Sequence, residues 1–273
     1  MSPRPIRTVL SIAGSDSGGG AGVQADLKAF ARCGVHGMTA ITAITAQNTV
    51  GVMSVEAVSP TMIVAQVGAV ASDIGVDAVK VGMLGTVETV GAVVEAIGLV
   101  GGAPVVVDPV MVSESGATLL DDDAREALVE RLLPLATVLT PNIHEARALT
   151  GAAAHDSQED LARGILSLGP RAVVVTGGHS DALIDVFSAG GAPVAIGGDR
   201  HPGGASHGSG CTHSAALAAF LARGEAPLEA ARKARRIASA AVAAGLSGIG
   251  SGPGPVDSLD LARRACGDAG AAR

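Results

Sequence analysis

Tryptophan and tyrosine are absent from this sequence of 273 residues, and phenylalanine occurs only three times. Without aromatic platforms, stacking of single-stranded bases is excluded as a binding mode. Positive charge is also short. The formal net charge is −7 at pH 7, so the basic surface that nucleic-acid binding requires is missing. Cysteine is scarce. Cys33, Cys211 and Cys266 form neither a CxxC pair nor an even set, which is the usage of a reducing compartment and sets cytoplasmic location as the expectation. The stretch Met1–Leu10 holds two arginines but too short an apolar run for a secretory leader. Charge is missing altogether between Arg32 and Glu56, a span long enough to cross a bilayer. Thr39, Thr42, Thr45, Gln47, Asn48 and Thr49 fall within it, so a buried strand and a polar loop account for it better than a lipid-facing helix.

What the chain has in quantity is alanine and valine, within an apolar share of 48%. Such a composition suits thin strands and close-packed helices rather than an all-β sandwich. Continuous apolar runs at Thr8–Ile12, Gly37–Thr45, Ala78–Val81, Val105–Val107, Thr137–Leu139 and Ala172–Val175 read as strands buried on both faces. Helical patterns lie between and after them at Gln24–Cys33, Thr61–Ser72, Val87–Ile97, Asp122–Leu133, Gln158–Ser167 and Ser214–Ala222, with a last short helix at Leu259–Cys266. Strand–helix alternation of this kind predicts a doubly wound, mostly parallel α/β sheet flanked by helices, with sites at the carboxyl ends of the strands. No linker interrupts it, so residues 1–273 are expected to form one domain. Gly190–Gly210 reads as a loop or thin β segment, and Gly245–Pro255 as a surface crossing.

The most informative segment is His207-Gly-Ser-Gly-Cys-Thr-His213, which runs directly into an apolar helix. The turn Gly208-Ser209-Gly210 can aim successive backbone N–H groups at one point, and the helix dipole adds positive potential there. An anion or developing phosphoryl charge is the natural occupant. The same field at Cys211 favours thiolate over thiol, although a buried cysteine packed as a small hydrophobe fits the local sequence equally.

The run His207-Gly-Ser-Gly-Cys-Thr-His-Ser-Ala-Ala216 resembles the anion-hole signature of the ribokinase-like superfamily. Cysteine at position 211, where sugar kinases carry aspartate, is similar to the hydroxymethylpyrimidine/phosphomethylpyrimidine kinases of thiamin biosynthesis. The resemblance extends through Ala13–Leu27, Thr45-Ala-Gln-Asn-Thr49, Lys80-Val-Gly-Met-Leu84, Val107-Asp-Pro-Val-Met111 and Thr140-Pro-Asn-Ile-His-Glu145. It implies a ribokinase-like fold, ATP and Mg²⁺ as cofactors, a pyrimidine substrate and a homo-oligomer, with a dimer favoured. It also implies catalysis at Gly208, Ser209, Gly210 and Cys211, and pyrimidine contacts from Gln47, Asp26, Met83 and the glycine turn Gly14–Gly22. Lys80, Asn142 and Thr176 fall to the nucleotide side, and Asp108 and Glu145 to the metal.

Several of these positions carry a reading of their own. Gly20-Ala-Gly-Val-Gln-Ala25 satisfies a loose dinucleotide fingerprint, but no acidic residue follows before Glu56 to hold a ribose. The Walker A pattern fails for want of Gly-Lys-Ser/Thr. Gln47 presents a donor and an acceptor together, matching a ring nitrogen beside an exocyclic amine. Asp26 reads equally as a solvent-facing helix residue, and Met83 as core. Asp108 closes the apolar strand Val105–Val107, while Asn142 and Glu145 share one face of a helix start. Carboxylates so placed suit Mg²⁺ shared with substrate phosphates; a dipole-stabilised first-turn glutamate is the alternative for Glu145. Relatives carry lysine where Thr176 stands, and His179 and Arg200 are the nearby candidates to compensate. His36, His144, His155, His201 and His213 read as surface or loop residues. The functional expectation is a kinase acting on hydroxymethylpyrimidine and then on its monophosphate. A pyridoxal kinase, an oxidoreductase and an inactive ligand-binding relative are the alternatives.

Overall fold

In a computed structural model, residues 5–114, 116–178 and 183–265 are described. Nine strands form one sheet in the order β3-β2-β1-β4-β5-β6-β7-β8-β9. They are β1 (Thr8–Ser15), β2 (His36–Gln47), β3 (Val52–Ala57), β4 (Ala78–Val81), β5 (Val105–Val107), β6 (Val138–Leu139), β7 (Val173–Val175), β8 (Asp185–Ser188) and β9 (Val194–Ile196). From β2 through β1 and β4 to β7 all pairings are parallel, whereas β3, β8 and β9 join antiparallel. All six expected strands are present. The antiparallel strands β3, β8 and β9 were not expected as such, because short polar or glycine-flanked edge segments lack the apolar run that marks a central strand.

Two helical layers cover the sheet, and period-2 alternation decides which side chain meets which layer. Leu10, Val79, Val105 and Val107 pack towards α2 (Pro60–Asp73), α3 (Val87–Ile97), α4 (Asp122–Ala127), α5 (Ile143–Thr150) and α6 (Gln158–Leu166). Val9, Ala78, Val106 and Val174 turn the other way, towards α1 (Gly22–Arg32), α7 (Ser209–Ala222) and α8 (Pro227–Ala243). In α7, Ala215, Ala216, Ala218 and Ala219 are all fully buried. A helix apolar all round must be enclosed, and alanine lets it lie close to the sheet. Replacing the fully buried Leu217 by alanine would cost about 2–5 kcal/mol.

The helix that begins after Asp121 leaves α-geometry early, passing through a π turn (Leu128–Leu132) and a 3-10 turn (Leu133–Leu135). Pro134 cannot supply an amide to continue it. The helix expected at Ser214–Ala222 starts one turn sooner, at Ser209, so the glycine turn is its N-terminus. Helix α8 was not expected. Of the predicted final helix, residues 261–265 are helical and Cys266 lies outside the described residues.

Candidate active site

The chain runs from β1 outward to β2 and later returns to place β4 on the opposite side of β1. At such a reversal the strand ends diverge and leave a crevice. A cavity of about 920 Å³ opens there, and every expected site residue lines it except Asp26. That volume accommodates a nucleotide together with a small heterocycle.

The glycine turn enters α7 through Gly208, whose φ of +83° is left-handed and whose Cβ would collide with the Gly20 carbonyl. The Ser209 amide is taken by the Ser206 carbonyl at 2.9 Å, and Thr212 bonds back to Gly208. The amides of Gly210 and Cys211, between them, are the first-turn donors that a helix offers to an outside acceptor. Ser214, one turn on, donates from Oγ to Asp108 Oδ2 at 2.9 Å and ties the metal-side carboxylate to the same helix.

Beneath this turn lies a buried charge cluster. Lys80 Nζ is 3.0 Å from either carboxylate oxygen of Asp26 and 3.9 Å from Asp108 Oδ2, with both Lys80 and Asp26 fully buried. Ser11 Oγ donates to Asp26 at 2.6 Å. Burial works against the ammonium, but the Asp26 carboxylate first, and Asp108 after it, outweigh that cost and keep Lys80 protonated. The expectation for Asp26 is therefore corrected. Its carboxylate is fully buried, held by Lys80 and Ser11, and does not line the cavity. The expected thiolate at Cys211 is corrected as well. Burial pushes its thiol up to about 12, with Asp108 and Asp26 adding to the effect, and neither Lys80 nor the Gly22 amide offsets it. Cys211 is a neutral thiol at pH 7.

Asn142 and Glu145 complete a capping box: Asn142 Oδ1 accepts the Glu145 amide at 2.9 Å, and Glu145 Oε2 accepts the Asn142 amide at 2.8 Å. Helix capping and the metal-facing position thus coexist in one side chain. Burial, then the neighbouring Asp108, lift the Glu145 carboxyl to about 8 against the Asn142 and Met111 amides. A buried carboxyl raised beside a second carboxylate is a donor set short of a cation. Among the described residues no group of three or more His, Cys, Asp or Glu side chains could hold a metal ion, so two carboxylates fit an ion shared with phosphates rather than a protein cage.

At the β1–β2 end, Gln47 follows the parallel part of β2 and its Oε1 accepts from Thr45 Oγ1 at 3.3 Å. Met83 lies over Gly14, where a Cβ would stand 2.8 Å from the Met83 methyl. Gly22, at φ +57°, brings the turn back against the Gly14 carbonyl. At the opposite end Thr176 is bridged to Asn142, and Arg200 lines the cavity. His179 lies outside the described residues.

Several cavity residues escaped the sequence reading. Asp16 accepts the amides of Gly18, Gly20 and Ala21 at 2.8, 3.0 and 2.8 Å, an arrangement that an aspartate inside a Ser-Asp-Ser-Gly turn could have signalled. Asp185 opens β8; because β8 is antiparallel, its first residue reaches the edge where the parallel strands end. Arg235 of α8 lies 3.4 Å from it. His213 was expected at the surface, yet it is buried in α7 and 3.9 Å from Asp185, and burial lowers its basicity. No local signal marks the last two, since their partners are remote in sequence.

An open, mostly parallel sheet whose switch-point crevice is lined by helix-start amides and two carboxylates is the arrangement of a small-molecule phosphotransferase of the ribokinase-like class. A family model for phosphomethylpyrimidine kinase matches residues 16–257, and the chain belongs to that family. A hydroxymethylpyrimidine/phosphomethylpyrimidine kinase of Rhizobium meliloti is 49% identical over 253 residues, covering 90% of this chain and 95% of the relative. The solved phosphomethylpyrimidine kinase of Clostridium difficile is 41% identical with a TM-score of 0.75, covering 84% and 96% of the two chains. An ADP complex of Bacillus subtilis pyridoxal kinase aligns at TM-score 0.86 and 36% identity, covering 94% and 99%. Among the described residues no helix is long and apolar enough to cross a membrane.

Proposed function

We propose that this protein transfers the γ-phosphoryl group of ATP to hydroxymethylpyrimidine and then to its monophosphate, giving the pyrophosphate used in thiamin biosynthesis. The observation that carries the reading is that the first-turn residues Gly210 and Cys211 of α7 line one cavity with Asp108 and Glu145. The B. subtilis relative with bound ADP supports nucleotide use. The single sheet that supplies both ends of the site supports treating the chain as one kinase domain, and cysteine usage supports a cytoplasmic setting. We also read it as a homo-oligomer, a dimer first, on the strength of Met53 and Val55, which are exposed on one face of β3.

Gln47, Met83 and the Gly14–Gly22 turn form the pyrimidine end, where the Gln47 amide reads the aminopyrimidine edge. Thr176, Asp185, His213 and Arg235 form the nucleotide end. The Gly210 and Cys211 amides stabilise the charge on the transferring oxygens, the dominant contribution in phosphoryl transfer. Cys211, as a neutral thiol, orients the attacking hydroxymethyl oxygen; a loose transition state asks little of a base at that oxygen. Asp108 and Glu145 would hold Mg²⁺, which when bound neutralises phosphate charge. Lys80, paired and buried, sets the potential under Cys211 rather than touching nucleotide.

Release of ADP is the test, measured with hydroxymethylpyrimidine, with pyridoxal and with neither. Turnover highest on hydroxymethylpyrimidine is the expected result. Turnover on pyridoxal alone moves the substrate assignment to the alternative, and none with either removes the kinase reading.

A further inference from the structure

His207 immediately precedes the glycine turn at the head of α7. Its ring stands between two carboxylates from different parts of the chain. Nε2 is 3.0 Å from Asp16 Oδ2, and Nδ1 is 3.4 Å from Glu114 Oε2. A neutral imidazole has one N–H and one lone pair, so it would turn a lone pair on one of the two carboxylates. Only the imidazolium can donate to both.

The connection reaches further on each side. Asp16 gathers the amides of Gly18, Gly20 and Ala21, and so shapes the turn between β1 and α1. Glu114, on the segment leaving β5 after Asp108, also accepts the Ser206 hydroxyl. The His207 ring lies against Gly20, where a Cβ would overlap it, and the next residue, Gly208, is in backbone contact with the Gly20 carbonyl. Three segments that wall the cavity therefore meet at one ring, adjacent to the amides of Gly210 and Cys211.

We propose that His207 is a positioning residue of the transfer site: as an imidazolium it clasps Glu114 to the Asp16 turn, holds the first turn of α7 in register, and releases that hold on losing its proton. The proposal rests on the kinase reading above. The charged groups that face the ring are Asp16 from the β1 turn and Glu114 from the segment after β5; Gly20 and Pro255, which pack beside it, are neutral. Hydrogen bonds to Asp16 and Glu114 outweigh burial and raise the ring to about 9, above the ordinary 6.5. Because the folded value is the higher one, the contribution of the clasp is complete below 6.5 and is lost as pH rises through about 9. At neutral pH the clasp is closed.

The test pairs histidine side-chain NMR titration with pH–rate profiles in wild type, Glu114→Gln and His207→Gln. Glu114 is exposed on the cavity rim, and its replacement removes one of the two charges that hold the proton. His207 is expected to titrate near 9 in wild type and closer to 6.5 in Glu114→Gln, with the alkaline fall in kcat moving by the same amount. His207→Gln should lose about tenfold or more in kcat at pH 7 while KM for the pyrimidine changes little, and its alkaline fall should vanish. A role in stability alone would shift the unfolding midpoint and leave the kcat profile in place, which would overturn the proposal. A wild-type protein without turnover whose His207 still titrates near 9 sinks the kinase reading and leaves the clasp standing. Turnover together with His207 near 6.5 does the reverse.

Discussion

The two ends of the cavity are built on opposite plans. At the β1–β4 end buried charge is matched within the protein: Asp26 against Lys80 and Ser11, with its Oδ1 met by Lys80 as an ion pair only, and Asp16 against three amides and His207. At the β7–β8 end, Asp185 Oδ2, both ring nitrogens of His213 and Arg235 Nε are buried without a hydrogen bond among the described residues. An unsatisfied buried polar group costs about 1–3 kcal/mol, so the second end keeps a deficit that a polar ligand can remove. On the function proposed above, the first end is the one preorganised for the small heterocycle, and the second would gain its partners with the nucleotide.

Breaking the matched end should have the largest effect. Lys80→Met leaves Asp26 buried without its cation and is expected to cost about 3–5 kcal/mol of stability. The double variant Lys80→Met/Asp26→Leu should recover most of that cost, because both charges then disappear together. Urea denaturation of the three proteins decides it; a single variant within about 1 kcal/mol of wild type would show that the charges are not matched as described.

At the unmatched end the expected change is in nucleotide affinity. Arg235→Gln removes a charge-assisted donor, for which about 2 kcal/mol, or about thirtyfold in the KM for ATP, is the scale. KM for the pyrimidine should stay within a few-fold. Equal rises in both would mean that the two ends are not separable and that Arg235 supports the whole cavity.

The smallest effect sharpens the pyrimidine assignment. Gln47→Leu strands the aminopyrimidine edge against an apolar side chain and should lower kcat/KM for hydroxymethylpyrimidine about tenfold. Pyridoxal lacks that edge, so activity on it should fall less. The readout is the ratio of kcat/KM for the two substrates, in variant and wild type. An unchanged ratio would reduce Gln47 to a residue that shapes its loop.

How much of this was legible in sequence differs between the same two ends. Strands β4 and β5 fall where their apolar runs place them, and α3 coincides with its expected range. Continuous valine and alanine between polar turns leave a parallel strand as the reading. Asn142 and Glu145 could be placed on one helix start because their spacing of three after Pro141 is a local signal, to which the structure adds the capping box. Gly14, Gln47, Met83 and Cys211 were found through ordered motifs. Asp185, His213 and Arg235 were not, since β8 pairs antiparallel at the sheet's far side and α8 meets it from a distant part of the chain. Asp26 shows the converse error. Its motif pointed to the cavity, while its partner Lys80 sits 54 residues away in sequence and holds it buried, away from the cavity lining.

By itself the sequence determined the alternation of strand and helix, the glycine turn at the head of α7 and the carboxylates at the ends of β5 and α5. Each follows from periodicity, turn chemistry or spacing, which act over a few neighbouring residues. Tertiary structure alone decided the protonation states. The Cys211 thiol is raised to about 12 because folding buries it beside Asp108 and Asp26, against the lowering expected from its helix position. His207 is raised to about 9 because folding brings Asp16 and Glu114 to its two nitrogens from 191 and 93 positions away. Desolvation and Coulomb attraction depend on distance in space and on exclusion of water, and neither quantity is written along a chain.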